Sequence, residues 1–170
     1  MNTTLFFLRS SEQRIAYNML PYALDLNDIP LNNIYTTDYG FINTDVGIYS
    51  LTNNEISGAA WMRLYKESDK VSAFVDNVTP ILIIGVMPNA RGIGIGSLIM
   101  NQLLQEAAVM YDQISVSIQS NSREMNFFER LGFIPIINSE DKDVFTMVKK
   151  LTKKDITRPT DGYDPRRWMD

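Results

Sequence analysis

The 170-residue sequence contains no cysteine and no histidine. Without cysteine the chain has no disulfide framework, no thiolate metal site and no cysteine nucleophile. Without histidine it lacks the commonest general base and the commonest zinc ligand, which excludes histidine-dependent serine triads and most zinc hydrolase sites. Any chemistry must therefore use carboxylates, hydroxyls, lysines or backbone groups.

Long apolar runs are missing as well, since no stretch approaches the roughly 20 apolar residues that a membrane-spanning helix needs. The short apolar run over residues 5–8 is broken by Arg9, which indicates a strand and not a signal peptide. A net charge of −4 gives no basic footprint for nucleic acid or for an anionic membrane. We expect a cytoplasmic protein with neither kind of partner.

A hydrophobic content of 45% over this length predicts a single core and one domain, residues 1–151. Residues 152–170 are polar, contain Pro159, Gly162 and Pro165, and show no apolar period. This composition predicts a flexible tail outside the domain. The alternative is a docking or dimer-contact segment, because the tail also carries Trp168.

Apolar periodicity predicts the element order β-α-β-β-β-α-β-α-β-β, a mixed α/β fold. A capping-box pattern from Ser10 to Gln13 predicts a helix over residues 11–24. The β-branched run over residues 80–86 is typical of a strand buried at the centre of a sheet, and residues 97–111 have helical spacing. Gly132 suits a left-handed helix cap, and residues 133–137 and 144–148 predict a final hairpin.

A glycine-rich segment, residues 91–96, lies between the predicted central strand and the following helix. Glycine lets the backbone approach a phosphate closely, and the unpaired N–H groups at the start of a helix attract an anion. The segment therefore predicts a pyrophosphate site. The alternative is that its glycines only relieve crowding where the helix crosses the strand.

The neighbouring residues narrow the choice of phosphate ligand. A Walker loop needs a lysine after its last glycine, whereas Gly96 is followed directly by Ser97. A dinucleotide-binding fold needs an acidic residue at the end of the next strand, which here ends at Gln119, Ser120 and Asn121. Nucleoside triphosphates, NAD and FAD are therefore disfavoured.

The segment from Val86 to Gly96 reads VMPNARGIGIG and resembles the hallmark of the GNAT superfamily of N-acetyltransferases. That hallmark is a strand, Val-x-Pro, and Arg/Gln-x-x-Gly-x-Gly/Ala at the start of a helix. Residues 117–122 and 126–133 resemble the distal strand, helix and Gly-Phe turn of the same superfamily. The resemblance covers residues 3–150 and implies the GNAT fold, a central, mixed, mostly antiparallel sheet that is split in a V and flanked by helices.

The resemblance also implies acetyl-CoA as cosubstrate and a set of residues that bind it. The backbone near Val86 would pair with pantetheine, while Asn121 and Phe128 would line the thiol end. A helix N-cap is the alternative role for Asn121, and a place in the core is the alternative for Phe128. The N–H groups of one loop would bind the pyrophosphate, namely those of Arg91, Gly92, Ile93, Gly94, Ile95 and Gly96.

The activity implied is direct transfer of an acetyl group to a primary amine of a small molecule or peptide, through a tetrahedral intermediate. Members of the superfamily often carry a tyrosine acid at the position of Phe128 and a glutamate at the position of Ile81, and neither side chain here transfers protons. The catalytic residues therefore stay unassigned, and no metal is expected. Tyr39, Tyr65, Asp76 and Ser117 are substitutes for which a structural role is the stronger explanation.

Two other functions stay open: a non-catalytic acyl-CoA-binding module, and an interaction domain whose glycine loop only eases packing. The acceptor groove is expected from residues 11–40 and from the hairpin over residues 134–147. Asp25, Asp28 and Asp38 would attract a cation there if they cluster. Homodimerisation is compatible with the resemblance, but no sequence pattern supports it.

Overall fold

The computed structural model describes residues 2–24, 29–119, 124–136 and 144–153. Its helices and strands follow one another in the predicted order, which confirms the assignment from periodicity. Short 3-10 turns lie at Ser10–Glu12, Glu67–Asp69 and Pro88–Ala90. The α-helices and strands are β1 (Thr3–Phe7), α1 (Gln13–Leu24), β2 (Val46–Thr52), β3 (Glu55–Arg63), β4 (Ile81–Val86), α2 (Ile95–Met110), β5 (Gln113–Gln119), α3 (Glu124–Arg130), β6 (Ile134–Ile136) and β7 (Val144–Lys150).

The strands form one seven-stranded sheet in the order β1-β2-β3-β4-β5-β7-β6. The pairs β1/β2, β2/β3, β5/β7 and β6/β7 are antiparallel, while β4 and β5 pair in parallel through Ile81 and Ser115. The fold is therefore mixed α/β with a mostly antiparallel sheet and flanking helices, as expected. The V-shaped split of the sheet stays a prediction.

The chain forms two compact units. The first takes in the described residues of Met1–Arg63 and Ile83–Glu106, and the second those of Leu64–Leu82 and Ala107–Lys154. A single domain over residues 1–151 stays a prediction, and the predicted tail lies outside the described residues from 154 onwards. Among the residues that are described, no helix is long and apolar enough to cross a membrane.

The core of the first unit lies under α1. Ala16, Met19 and Leu20 are buried on the face of this helix that packs with Trp61 and Ile83, and their spacing is that of an amphipathic helix. The predicted capping box from Ser10 to Gln13 was wrong, since the capping contact lies one residue earlier in the chain. The Arg9 backbone N–H donates to a carboxylate oxygen of Glu12 over 3.2 Å, because a 3-10 turn precedes the helix.

The second unit contains β5, α3, β6 and β7. Gly132 ends α3 with a φ of +95°, and its N–H donates to the carbonyl of Glu129 over 3.0 Å. The N–H of Phe133 donates to the carbonyl of Phe128 over 3.0 Å, which completes a left-handed helix end. The predicted glycine cap and the antiparallel hairpin of β6 and β7 are both confirmed.

Candidate functional site

The loop that connects β4 to α2 is anchored at both ends. Where β4 ends, the backbone N–H of Met87 donates to the carbonyl of Ser57 on β3 over 2.8 Å. Where α2 begins, the N–H of Leu98 donates to the carbonyl of Gly94 over 3.0 Å, the first bond of the helical series. The residues between these bonds form a 3-10 turn and then an irregular turn.

Gly92 and Gly94 adopt left-handed backbone conformations, with φ of +79° and +89°. A Cβ atom added to either residue would meet no heavy atom within 4 Å. Crowding between helix and strand therefore does not explain these two glycines, whereas the backbone conformation does. Turns with such residues form backbone nests, in which successive N–H groups converge on an anion.

The N–H groups of residues 92–97 are available to a ligand, since no hydrogen bond joins them to another described residue. The first N–H groups of a helix have no partner within it, and the positive end of the helix dipole lies there. Ile95 is buried and fixes the start of α2 in the core, while Ile93 is exposed and Gly96 lies within the first helical turn. This arrangement suits a phosphate or pyrophosphate.

Arg91 ties the loop back to the end of β4. Its Nε donates to the carbonyl oxygen of Val86 over 3.1 Å, and its side chain is exposed. The resemblance assigns backbone groups near Val86 to pantetheine; the Val86 carbonyl already accepts one hydrogen bond, although a carbonyl oxygen has a second lone pair. The structure therefore brings together Val86, Arg91 and the glycine loop within the first unit.

Phe128 lies in the second unit and belongs to its core. Its side chain is 1% exposed and packs edge-on against Phe127 and Phe133, with ring centroids 5.1 and 5.2 Å away. Phe128 therefore has the place in the core that the sequence analysis gave as its alternative role. Contact with the thiol end stays a prediction for Phe128, and Asn121 lies outside the described residues.

The substitutes considered for proton transfer mostly have structural partners. The Tyr39 hydroxyl is buried and donates to the carbonyl of Leu8 over 3.1 Å. A carboxylate oxygen of Asp76 accepts from the N–H of Val78 over 3.0 Å, which is an ordinary turn contact. Ile81 is buried and has no proton to transfer. The general acid and base stay unassigned.

A buried ion pair escaped the sequence analysis. Arg63 Nε lies 3.2 Å from Asp45 Oδ1, and the two side chains are only 11% and 4% exposed. Burial raises the pKa of the Asp45 carboxyl, and the positive charge of Arg63 and the N–H of Gly40 offset part of that effect. The pair holds residues 34–40 against the end of β3 because Arg63 Nη1 also donates to the carbonyls of Ile34 and Thr37.

Comparison with protein families matches residues 45–135 to the acetyltransferase (GNAT) domain. The match spans more than half of the chain and includes the glycine loop. No curated protein matches the sequence.

Solved structures share the fold at low sequence identity. The ribosomal-protein-S18-alanine N-acetyltransferase from Escherichia coli has a TM-score of 0.66 and 14% identity, covering 96% of this chain and 100% of that one. A GNAT superfamily phosphinothricin acetyltransferase from Sinorhizobium meliloti in complex with AcCoA has a TM-score of 0.61 and 18% identity, covering 98% of each chain. Naa50 of Arabidopsis thaliana in complex with the bisubstrate analogue CoA-Ac-MVNAL has a TM-score of 0.59 and 22% identity, covering 89% of this chain and 100% of that one.

Proposed function

Because the chain belongs to the acetyltransferase (GNAT) family, we propose that it transfers an acetyl group from acetyl-CoA to a primary amine of a small molecule or peptide. Acetyl-CoA is the cosubstrate of this acyl transfer. One observation carries the proposal: Gly92 and Gly94 have positive φ in open space, beside N–H groups without a described partner. A CoA pyrophosphate carries the negative charge and the oxygen acceptors that such a backbone nest binds.

The proposed reaction is a direct attack of the amine on the thioester. The nitrogen lone pair forms a bond to the carbonyl carbon, the oxyanion collapses, and the carbon–sulfur bond breaks. An ammonium ion has no lone pair, so it must lose one proton before the attack. The nitrogen loses a second proton after the attack and the departing thiolate takes up a proton, so one proton is released overall. Hydrogen-bond donors must stabilise the oxyanion. The products are an acetamide and the free thiol of CoA.

Two structural neighbours support including peptides among the acceptors. One is named for acetylating an alanine of a ribosomal protein, and another was solved with an analogue that joins CoA to a peptide. At identities of 14% and 22%, these relatives share the fold with this chain. A peptide amine and a small-molecule amine therefore both belong in the acceptor panel.

A second candidate is a non-catalytic acyl-CoA-binding module. The observation that favours it is the apolar burial of Phe128 and Ile81, at the positions where the resemblance leads us to expect an acid and a base. A positioned acid or base is typically worth about 10²–10⁴ in rate, so its loss slows catalysis without preventing it. Both candidates bind acetyl-CoA, and turnover distinguishes them.

The first test is isothermal titration of acetyl-CoA and CoA into the wild type and Gly94→Val. A β-branched residue resists the positive φ of this position, so the variant should misplace the N–H groups. Losing one or two hydrogen bonds to a charged group costs about 1.5–3 kcal/mol each, so affinity should fall by at least roughly tenfold. Asn53→Val is the matched control, because Asn53 has a φ of +53° in the exposed β2–β3 turn.

The second step measures thiol release with acetyl-CoA over a panel of small amines and peptides with free N-termini. Binding that depends on Gly94, together with release that depends on an amine, supports the acetyltransferase. Binding without release across the panel favours the binding module. Absence of binding by the wild type contradicts both candidates, and an equal loss of affinity in Asn53→Val assigns the effect to backbone strain and not to the nest.

A further inference from the structure

A cavity of about 650 Å³ lies in the first unit between α1 and residues 31–38, and we call it the α1 cavity. Its volume is within the range of pockets that hold small molecules. The residues that line it come from 13–18 and 31–38, so none belongs to the glycine loop. The cavity is therefore separate from the proposed pyrophosphate site, and it lies within residues 11–40, the segment from which an acceptor groove is expected.

Most of the lining surface is apolar, but the lining also carries both signs of charge on exposed side chains. Arg14 contributes a guanidinium from α1, and Asp38 contributes a carboxylate from the opposite wall. Within the described part of the chain, neither side chain forms an ion pair or a hydrogen bond. Asn18 and Gln13 add neutral amides. A cation, an anion and amides in one cavity match a ligand that has a carboxylate and an ammonium group.

The wall opposite α1 contains no helix or strand, yet it is closely held. The Asn33 carboxamide oxygen accepts the N–H groups of Tyr35 and Thr36, each over 2.9 Å, while its nitrogen donates to the carbonyl of Pro30 over 2.9 Å. Thr37, which lines the cavity, donates its hydroxyl to Asn32 Oδ1 over 3.1 Å. The wall is thus fixed locally by side chains that imitate backbone turns.

The same wall is also attached to the sheet. Trp61 Nε1 donates to the carbonyl of Tyr35 over 3.1 Å, and Arg63 Nη1 donates to the carbonyl of Thr37 over 2.8 Å. Both donors come from β3, so the wall is held in one shape before any ligand arrives. Such preorganisation lowers the entropy cost of binding.

Asp38 has an unusual backbone, since its φ is +56°. Aspartate is one of the few non-glycine residues that visit this left-handed region regularly, so the conformation carries a modest cost. It persists here because Thr37 and Tyr39, on either side, are both hydrogen-bonded to other parts of the unit. Strain of this kind is concentrated at functional sites, where it places a side chain that would otherwise point elsewhere.

The α1 side offers acceptors as well. Tyr17 lines the cavity and donates its hydroxyl proton to the carbonyl of Ile29 over 2.8 Å, which leaves the phenolic oxygen free to accept. Pro21 lies inside α1 and has no N–H, so the carbonyl of Tyr17 lacks its usual helical donor. Acceptors of this kind suit an ammonium group.

We propose that the α1 cavity binds a small zwitterion, an amino acid or short peptide with a free amine and a free carboxylate. Arg14 pairs with the carboxylate and Asp38 with the ammonium. The zwitterion is either the amine that is acetylated or a ligand of a separate site. Its binding in the α1 cavity needs no acetyl-CoA, so this inference does not depend on the proposed function.

The test is equilibrium dialysis of the full chain, without acetyl-CoA, against the free amino acids and a mixture of unblocked tripeptides, read by mass spectrometry. Arg14→Gln keeps helix propensity, and Asp38→Asn keeps a residue that tolerates positive φ. Each variant should weaken binding by about tenfold or more, the expected loss for a charge-assisted hydrogen bond. Lys66→Gln and Glu67→Gln, exposed charges outside the cavity, should leave binding unchanged.

Ligands whose amine or carboxylate is chemically blocked identify which charged group of the best binder each residue contacts. An N-acetylated ligand should bind wild type and Asp38→Asn equally, and a C-amidated ligand should bind wild type and Arg14→Gln equally. No binding to the wild type, or the same losses with blocked and unblocked ligands, would overturn the proposal. Thermal unfolding of each variant verifies that it is folded.

Adding acetyl-CoA to the protein with the zwitterion bound then distinguishes an acetyl acceptor from a ligand of a separate site. A bound zwitterion that becomes acetylated is the acceptor, whereas one recovered unchanged belongs to a separate site. Both results keep the α1 cavity as a zwitterion site. A protein that binds the zwitterion but neither form of CoA refutes the proposed function alone.

Discussion

Replacing Arg63 by leucine should destabilise the fold far more than replacing an exposed cation. Arg63 is 11% exposed and makes three contacts: Asp45 Oδ1 at 3.2 Å, the Thr37 carbonyl at 2.8 Å and the Ile34 carbonyl at 3.2 Å. Leucine makes none of these hydrogen bonds. It leaves the Asp45 carboxylate, which is 4% exposed, with the Gly40 N–H as its remaining hydrogen-bond donor among the described residues.

Removing one partner of a buried ion pair costs about 3–5 kcal/mol, because the other charge stays buried without compensation. This is a large part of the total stability of a domain, which is about 5–15 kcal/mol. In the double variant Arg63→Leu/Asp45→Asn no charge is left behind. The double variant should therefore be more stable than additivity predicts, by about 0.5–3 kcal/mol.

Urea unfolding of the wild type, both single variants and the double variant measures this coupling. Lys150→Leu is the control, since Lys150 is exposed at the end of β7 and should change stability by at most about 0.5 kcal/mol. A cost below about 1 kcal/mol for Arg63→Leu, against the 3–5 kcal/mol expected for a buried pair, would refute the argument. Additive single and double variants would refute it as well.

Two further predictions concern Asp45 and a second buried polar side chain, Tyr39. Burial raises the pKa of Asp45 above 3.8, so the folded state keeps this proton to a higher pH than the unfolded state does. The stability of the wild type relative to Asp45→Asn should therefore be greatest below the unfolded-state pKa of Asp45 and should fall as pH rises through its raised folded-state pKa. A stability difference that grows with pH in urea titrations would contradict this. Tyr39→Phe should cost about 1–3 kcal/mol by leaving the Leu8 carbonyl unpaired, with acetyl transfer per folded molecule unchanged. Lost turnover at full stability would instead make Tyr39 catalytic.

The order of helices and strands was predictable because each element carries its own local pattern. The β-branched run before Pro88 marks β4, and Gly132 marks the end of α3 by the one conformation that glycine adopts most easily. Burial departs from the pattern at single positions. Leu98 has helical spacing with the core residues of α2 but is 41% exposed, while Met100 is buried.

The glycine loop was predictable in kind but not in detail. Sequence alone treats Gly92, Gly94 and Gly96 as equivalent, whereas only the first two have positive φ. Gly85, three residues before the 3-10 turn begins at Pro88, is instead required by packing, because a Cβ there would lie 2.9 Å from the carbonyl oxygen of Met19. Glycines required by backbone conformation and glycines required by packing can be told apart only from the backbone angles and atomic contacts of the folded chain.

Sequence predicted a groove from residues 11–40 but could not place the walls of the α1 cavity, because they depend on contacts between distant residues. Arg63 reaches Asp45 over 18 positions, and Trp61 reaches Tyr35 over 26. Asparagine is common in many kinds of turn, and the sequence around Asn33 does not indicate which N–H groups its side chain accepts. Sequence indicated Asp38 as a group that attracts cations, together with Asp25 and Asp28, which lie outside the described residues. That Arg14 lines the same cavity follows only from the structure.

The limits of the family match separate the two sites. The match covers residues 45–135 and thus the glycine loop, whereas every residue that lines the α1 cavity lies before Tyr39. The family accounts for the cosubstrate, and we propose that backbone N–H groups of the glycine loop hold its pyrophosphate, a mode of binding that many side chains tolerate. The α1 cavity instead recognises its ligand through side chains of this chain. Its specificity must therefore follow from the charges of Arg14 and Asp38, which makes their exchange for neutral residues the direct way to learn what the protein accepts.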